Sequence, residues 1–503
     1  MGYLGSQSHS QLKKETSHRK IVLFPFPLQG HINSMLQLAS ILHSQGFKIS
    51  IVHNQYNSPN PRDFPLFTFD SFPDGLLETE YPSESDLLAF IVRLNVSCVV
   101  PFRECLRKVL CDDSEDHVAC LITDNVWYFT QAVADELKIP RIVLRCTSIS
   151  SISAFSALSS LREKSCLQIK DSELDKAVPE VPPLKMKDLP VILSKNPEDL
   201  QQILANMGRE TGAASGLICN SSEELEGTKL AQAQQAIPIP IFVIGPFHKY
   251  FPASGSSLLA QDMSSVSWLN KQRPKSVIYV SLGSIASIDE AKFLEIAWGL
   301  ANSEQPFLWV IRPGSICGSD WLEPLPSTFL EMSKGRGHIV KWAPQQEVLA
   351  HQAIGGFWTH CGWNSTLESI CEGVPMICLP SFGDQKVNAR YVSDFWRVGL
   401  HLEDKLERSE IERAIRRLMA DPEGEAIRDR AVSLKDKVDQ CFKEGVPHIG
   451  LSTALLVTYH HCRTPILEVK LLLGIFFQFS FPFPFVFLKI IVTFSFSSVH
   501  VLN

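Results

Sequence analysis

Short apolar runs alternate with amphipathic stretches along most of this chain of 503 residues. Apolar runs of about four to eight residues bounded by turn residues indicate buried strands. In the first half such runs lie at 21–26, 118–123, 141–144, 216–220 and 241–244, and residues 48–53 are expected to form a strand that alternates between buried and exposed positions. In the second half they lie at 276–282, 307–311, 337–340, 354–359 and 374–379. Strands that alternate with helices in this way form parallel sheets.

The helix expected after the first strand has its apolar residues on one face. These are Ile32, Met35, Leu36, Ala39 and Leu42, and Gly46 ends the helix. A stretch rich in Pro, Gly and Ser near 245–265 indicates a linker. The prediction is an α/β protein of two Rossmann-like lobes whose parallel sheets face a central cleft. The predicted segments are a disordered leader (1–19), an N-terminal lobe (20–247), a linker (248–265), a C-terminal lobe (266–445) and an atypical apolar tail (446–503).

Charge and cysteine content narrow the classes of partner. The net charge of −7 argues against a nucleic-acid partner. The 13 cysteines form no CxxC pairs, which favours a reducing, cytoplasmic setting over a disulfide framework. The first 20 residues lack the apolar core of a signal peptide. In the tail, residues 471–488 are apolar and long enough for a minimal membrane span, but Pro482 and Pro484 interrupt them, so a membrane anchor is not expected.

The segment 342–385 concentrates polar residues at chain turns. A buried strand is expected at 354–359 and ends at His360. Asn364, Ser365 and Thr366 are helix-start residues, and Gly373 ends the helix. The N-terminus of that helix presents free N–H groups and the positive end of the dipole, which suits a diphosphate. An ordinary buried βαβ unit accounts for the strands and the cap. It does not account for so many polar side chains at the turns.

This segment resembles the signature box of the plant secondary-product UDP-glycosyltransferases, and the wider resemblance covers residues 20–444. It implies the GT-B fold, UDP-glucose as donor substrate, no cofactor, no metal, a small-molecule acceptor and a monomeric protein. The resemblance also assigns donor contacts. The uracil is held by Trp342 and Ala343, the ribose by Gln345 and Glu368, the diphosphate by Ser284, His360, Asn364 and Ser365, and the sugar hydroxyls by Trp363, Asp384 and Gln385. For Ser284, a structural cap at a strand end is nearly as well supported.

Two N-terminal motifs supply candidate catalytic residues. His31 lies in PFPLQGHIN and Asp124 in TDNVWYF, and both motifs match the same family. His31 opens the first helix, whose dipole disfavours the protonated imidazole, so the ring is expected to stay neutral and basic. Asp124 would orient the ring. A lone histidine at a helix start is usually structural, but the two motif matches favour a general base. The expected reaction is an inverting glucosyl transfer to a hydroxyl or carboxyl of a small lipophilic plant metabolite.

The chain departs from the family pattern at three places. Ser34 stands where relatives often have Pro, and Cys146 where they commonly have a Thr that contacts the sugar. Thr147 is an alternative for that contact. The third departure is the tail from residue 446. Because of Cys146 and the tail, a catalytically impaired UDP-sugar or small-molecule binding protein on the same fold is the alternative function.

The sequence disfavours other enzyme classes. No GxGxxG follows the first strand, which argues against a nicotinamide dehydrogenase, and no GxSxG is present for a serine hydrolase. The residue sets His460-His461-Cys462 and His360-Cys361 lack recognised zinc-ligand spacing. The segment 56–67 resembles a subgroup that acts on terpenoids, flavonoids and cytokinin-like molecules. The acceptor itself depends on loops near 73–88 and 149–200, whose sequence does not reveal it.

Overall fold

The computed structural model describes residues 19–76, 87–111, 117–164, 171–190, 197–251, 258–403 and 406–443. The predicted apolar tail lies outside the described residues. So does the predicted leader, except for Arg19, which begins the first strand. The described residues belong to one compact unit. None of the described helices is long and apolar enough to cross a bilayer.

The N-terminal lobe is built on a seven-stranded sheet with the strand order β3-β2-β1-β4-β5-β6-β7. All of its pairings are parallel. Its strands are β1 (Arg19–Phe24), β2 (Lys48–Asn54), β3 (Thr68–Phe72), β4 (His117–Asp124), β5 (Arg141–Arg145), β6 (Gly216–Cys219) and β7 (Ile241–Val243). Strand order reverses between β1 and β4, where Phe24 pairs with Thr123. A ligand crevice is expected beyond the carboxyl ends of strands at such a switch point.

The C-terminal lobe repeats this plan with six parallel strands in the order β10-β9-β8-β11-β12-β13. Its strands are β8 (Val277–Ser281), β9 (Phe307–Val310), β10 (Gly337–Val340), β11 (Ile354–Thr359), β12 (Met376–Cys378) and β13 (Gly399–His401). The switch point lies between β8 and β11, where Ser281 pairs with Thr359. The predicted architecture of two parallel-sheet lobes is therefore confirmed, whereas the predicted residue boundaries of the lobes remain a prediction.

Helices connect the strands. In the first half they are α1 (Gln29–Ser44), α2 (Leu87–Ser97), α3 (Val99–Cys111), α4 (Thr130–Glu136), α5 (Ile149–Lys164), α6 (Pro197–Gly212) and α7 (Glu223–Ala236). In the second half they are α8 (Ser264–Leu269), α9 (Glu290–Ser303), α10 (Ser327–Ser333), α11 (Gln345–Leu349), α12 (Trp363–Glu372), α13 (Gln385–Arg390), α14 (Arg408–Met419) and α15 (Pro422–Lys443), with a π-helical turn at Tyr391–Phe395. Helix α8 begins inside the predicted linker.

Each sheet separates two apolar cores because successive side chains of a strand point to opposite faces. In β1, Val22 and Phe24 belong to one core, and Ile21 and Leu23 to the other. Strand β2 is buried at every position after Lys48, so the alternating burial expected for it was wrong. Strands of a parallel sheet with both faces covered by helices are apolar throughout, which is the physical reason.

Candidate functional site

His31 and Asp124 meet at the switch point of the first sheet. His31 lies in the first turn of α1, just after β1, and Asp124 is the last residue of β4. Because β1 and β4 are parallel neighbours, their carboxyl ends bring the two side chains together. The distance from His31 Nδ1 to Asp124 Oδ2 is 2.6 Å. The other carboxylate oxygen, Oδ1, accepts a hydrogen bond from the Val126 amide at 3.0 Å. The predicted pair is thus in contact, and its carboxylate is held on both sides.

The basicity of His31 differs from the sequence-based expectation. Burial lowers the pKa of the imidazole, but the charge of Asp124 and its hydrogen bond raise it more, and the net pKa lies above the usual histidine value. The sequence-based expectation that the helix dipole lowers the pKa of His31 was therefore wrong in direction. A carboxylate at hydrogen-bond distance acts more strongly on a partly buried ring than the partial charge of a helix end does.

Cys146 lies against the same carboxylate. It directly follows β5, the neighbour of β4, and its Sγ is 3.3 Å from Asp124 Oδ2. Burial and the Asp124 charge raise the pKa of this thiol well above its usual range, so it is protonated at neutral pH. The adjacent Thr147 hydroxyl accepts a hydrogen bond from Ser151 Oγ at 3.1 Å. Both residues line the donor side of the cleft, as a sugar contact requires.

Two cavities meet at His31. One of about 270 Å³ lies between the lobes, and the other, of about 460 Å³, lies mainly within the N-terminal lobe. His31 lines both cavities, whereas Asp124 is fully buried behind it. Every predicted donor contact lines the first cavity: Ser284, Trp342, Ala343, Gln345, His360, Trp363, Asn364, Ser365, Glu368, Asp384 and Gln385. Segments far apart in sequence therefore converge on one space.

At one end of this cavity, two glutamines hold a buried carboxylate. Gln345 Nε2 donates to Glu368 Oε2 at 2.7 Å, and Gln346 Nε2 donates to Oε1 at 2.8 Å. Burial raises the pKa of Glu368, and the two amide hydrogen bonds oppose that shift. Gln345 Nε2 also donates to Ser365 Oγ at 2.8 Å. Trp342, half-buried, packs at the edge of the core beside this cluster. A flat ring beside oriented polar groups can accommodate a nucleoside.

His360 follows β11 and lies between two glycines. A methyl group added at Gly283 or Gly362 would lie 2.6 or 2.5 Å from His360 Nε2, so neither position has room for a side chain. Gly283 also has a φ of +82°, a conformation that glycine adopts without strain. Burial lowers the pKa of the His360 imidazole to about 4, although a hydrogen bond with the Ser281 backbone opposes this. His360 is therefore a neutral hydrogen-bonding group at the start of α12.

The start of α12 is tied to the other lobe. Asn364 Nδ2 donates to the Gly30 carbonyl at 2.8 Å, and Ser34 Oγ is 3.1 Å from Asn364 Oδ1. The Trp363 indole donates to the Asn220 carbonyl at 2.7 Å. Trp363 is only 3% exposed, so its indole nitrogen serves the contact between the lobes rather than the cavity. These bridges were not predicted, since the sequence gives no sign of which residues meet across the cleft.

Asp384 and Gln385 come after β12 at the start of α13. Asp384 Oδ2 accepts a hydrogen bond from Asn388 Nδ2 at 3.0 Å, and burial raises the pKa of this carboxyl. Gln385 Oε1 accepts from the Ser381 amide at 2.9 Å, which fixes the direction of its side chain. Asp384 lines both cavities, and Gln385 lines the cavity between the lobes. Both side chains are thus held in place near His31.

The second cavity is lined mainly by apolar side chains. Leu88, Ile152, Phe155 and Leu200 come from the segments predicted to form the acceptor pocket. Further lining residues lie outside these segments and were not predicted to form the pocket, among them Phe26, Leu28, Ile91, Asn125, Val126, Arg145, Ile203, Leu204 and Met207. The apolar residues among them read as ordinary core positions in the sequence, and only the fold shows that they face a cavity.

Comparisons with known proteins agree with this geometry. Residues 255–434 match the family model described as UDP-glucoronosyl and UDP-glucosyl transferase. UDP-glycosyltransferase 76B1 of Arabidopsis thaliana is 54% identical over 84% of this chain and 94% of its own length. The chain belongs to the plant secondary-product UDP-glycosyltransferase family.

Further members of the family support the same assignment. The flavonol 3-O-glucosyltransferase UGT76E12 of Arabidopsis thaliana is 43% identical over 86% of this chain and 95% of its own length. The structure of Phytolacca americana UGT2 complexed with UDP-2fluoro-glucose and pterostilbene superposes with a TM-score of 0.74. It is 26% identical and covers 88% of this chain and 99% of its own. The predicted GT-B fold and the predicted glycosyltransferase activity are thereby confirmed.

Proposed function

We propose that the protein transfers glucose from UDP-glucose to a hydroxyl or carboxyl group of a small, mostly apolar metabolite, with His31 as general base. The observation that carries this proposal is the position of His31. It lies where the donor cavity and the apolar cavity meet, with Asp124 bound to its Nδ1. An ionised carboxylate only accepts hydrogen bonds, so Nδ1 carries the proton and Nε2 keeps its lone pair.

The chemical step follows from this arrangement. His31 Nε2 accepts the proton of the acceptor hydroxyl as its oxygen attacks the anomeric carbon, while the bond to the diphosphate breaks. Asp124 stabilises the imidazolium that forms. Because the acceptor and the diphosphate occupy opposite sides of the anomeric carbon, one displacement inverts its configuration. The glucoside formed from the α-linked donor is therefore a β-glucoside.

Donor binding is assigned to the residues around α12. Trp342 would stack on the uracil while Ala343 holds its edge, and Gln345 with Glu368 would bind the ribose. The N-terminus of α12, with Ser284, His360, Asn364 and Ser365, would hold the diphosphate. These groups supply the electrostatic stabilisation that a divalent ion provides in other transferases. We therefore expect no metal requirement, and EDTA should leave the activity unchanged.

The sugar hydroxyls are assigned to Asp384, Gln385 and the residues after β5. Gln385 Oε1 is engaged by the backbone, so Nε2 is the atom that would donate to the sugar. Cys146 or Thr147 would face the sugar from the N-terminal lobe. Trp363 would contribute through its backbone, since its indole nitrogen is bound to Asn220.

The acceptor class rests on the apolar cavity of about 460 Å³. Its apolar lining suits a terpenoid, a phenolic compound or a small lipophilic acid. The ten cysteines whose side chains the structure describes are all free thiols, which supports a cytoplasmic location. A monomeric state is expected from the family resemblance. The alternative of a binding protein without activity is not favoured, since the His31–Asp124 pair is aligned and the donor cavity is open beside it.

Replacement of His31 tests the proposal directly. His31→Ala should lower turnover with UDP-glucose and a phenolic acceptor by about 10²–10⁴-fold, the range typical for loss of a general base. UDP affinity, measured by calorimetry, should be preserved because the donor contacts lie on the other lobe. Glucosylation by His31→Ala at a rate near that of the wild type would overturn the assignment of the base.

A further inference from the structure

The described residues contain one group of three potential metal ligands of different types around a single point. A ring nitrogen of His31, an oxygen of Asp124 and Cys146 Sγ all lie within 4.8 Å of one another, and His31 Nδ1 is the nitrogen in contact with the carboxylate. Asp124 and Cys146 are buried, and His31 is 21% exposed to the cleft. A metal ion could thus reach the group from the cavity between the lobes, which both His31 and Cys146 line. Imidazole, carboxylate and thiolate are the ligand types that zinc prefers.

The distances are close to those of a zinc site. Tetrahedral zinc with bonds of about 2.0–2.3 Å places its ligand atoms about 3.3–3.8 Å apart. Cys146 Sγ is already 3.3 Å from Asp124 Oδ2. His31 Nδ1 is 2.6 Å from the same oxygen and would withdraw by slightly less than 1 Å as the hydrogen bond is replaced by two metal bonds. Three protein ligands leave the fourth position open to the cleft.

We propose that His31, Asp124 and Cys146 form an inhibitory binding site for soft divalent cations such as Zn²⁺ and Cd²⁺. On binding, the Cys146 thiol loses its proton to solvent and its sulfur bonds to the metal. The proton on His31 Nδ1 is replaced by the metal, and a proton then occupies Nε2. That nitrogen is the proposed base, so its lone pair is no longer available to an acceptor hydroxyl. Mg²⁺, which prefers oxygen ligands, is not expected to bind.

The site depends on the thiol of Cys146, the one soft ligand of the group. A threonine hydroxyl in its place would be a weak ligand for zinc. Binding of the metal therefore requires the thiol. Inhibition by the bound metal also rests on the proposed role of His31 as the base, whereas binding does not.

Calorimetry on the full-length protein without substrates measures the binding. We expect Zn²⁺ to bind the wild type, with an affinity lowered in Cys146→Thr by at least the 10–100-fold that loss of a supporting contact costs at metal sites. The residues His460, His461 and Cys462 are another source of zinc ligands in the full chain. The matched control therefore replaces these three by Ala, Ala and Ser, which should leave the high-affinity binding unchanged. Cys146→Ser is the second variant if Cys146→Thr folds poorly, as judged by thermal melting without metal.

Glucosyl transfer measured with and without Zn²⁺ tests the consequence. In the wild type, Zn²⁺ should lower kcat with little change in the KM for UDP-glucose, Mg²⁺ should have no effect, and EDTA should restore activity. The ratio of activities with and without Zn²⁺ should move toward one in Cys146→Thr. Equal sensitivity of the wild type and Cys146→Thr, or loss of sensitivity in the control variant, would overturn the site. If His31→Ala stays active while Zn²⁺ binding is still lost in Cys146→Thr, the base assignment fails and the metal site stands.

Discussion

Asp124 controls both the orientation and the basicity of His31. Burial alone lowers the pKa of the His31 imidazole, and the charge and hydrogen bond of Asp124 reverse that effect. If His31 is the base, as proposed, the protonated ring is inactive and activity should rise with pH through this raised pKa. Asp124→Asn removes the two larger causes of the upward shift in the pKa and leaves only the smaller effect of the Asp384 charge. We expect lower turnover and an acidic limb of the kcat/KM profile displaced to lower pH. An acidic limb that stays in place would show that another group titrates.

Gln385 is a second residue whose position is expected to affect function, here the choice of donor sugar. Its Oε1 is held by the backbone amides of Ser381 and Phe382, at 2.9 and 3.3 Å. An imidazole has a different length and donor geometry, so Gln385→His should move the hydrogen-bond donor away from the glucose hydroxyl that Gln385 is proposed to bind. We expect the ratio of kcat/KM for UDP-glucose to that for UDP-galactose to fall. Competition assays with both donors measure this ratio, and an unchanged ratio would remove Gln385 from sugar recognition.

At the scale of elements, the turn after β8 shapes the donor site. Gly283 has a φ of +82° and lies against His360, whereas Gly314 has a φ of +72° and nothing within 4 Å of an added methyl group. Gly283→Ala and Gly314→Ala should therefore each lose about 1–2 kcal/mol of stability, because each places alanine at a positive φ. Gly283→Ala alone should displace His360 and weaken UDP binding.

Thermal melts and calorimetry with UDP separate the two effects of these variants. The pair is informative because the backbone strain is matched and only the contact with the imidazole differs. Equal UDP affinities for the two alanine variants would show that the position of His360 does not determine diphosphate binding.

Two strands match their predictions at both ends. Ile354–Thr359 is an interior strand buried at every position, and Gly337–Val340 is an edge strand that is mostly half-buried. The two strands that were missed lie at sheet edges. Thr68–Phe72 is partly exposed and carries polar residues, and Gly399–His401 is three residues long. These two strands lack a continuous apolar run, so the pattern that identifies the other strands does not identify them.

Some features of the site could be predicted from sequence motifs, and others depend on the fold. The His31–Asp124 pair and the donor residues could be inferred because each follows a strand and lies in a family motif. The contact of Ser34 with Asn364 could not, because it joins residues 330 positions apart across the cleft. The raised pKa of His31 also required the structure, since it depends on the distance to a carboxylate and not on sequence position.

At the scale of the whole molecule, a buried ion pair joins the two halves. Arg390 makes two hydrogen bonds to Asp188, at 2.8 and 3.1 Å, and both side chains are at most 3% exposed. Removing one partner leaves an uncompensated buried charge, which costs about 3–5 kcal/mol. Arg390→Met should lower the free energy of unfolding by this amount in urea titrations.

Arg413 provides the matched control. It pairs with Glu410, but the Arg413 side chain is 60% exposed, so Arg413→Met should cost about 1 kcal/mol or less. Similar losses in the two variants would mean that the contact between Arg390 and Asp188 adds nothing beyond a surface pair.

The hydrogen bond between Asn364 and Gly30 brings the N-termini of two helices, α12 and α1, to the same cavity. Both helix ends carry partial positive charge. When transfer is complete, the leaving UDP has gained a negative charge that the donor lacked. The cleft should therefore hold the product more tightly than the substrate. Release of UDP, with separation of the two helix ends, is then expected to limit turnover. Accumulated UDP should be a competitive inhibitor with respect to UDP-glucose.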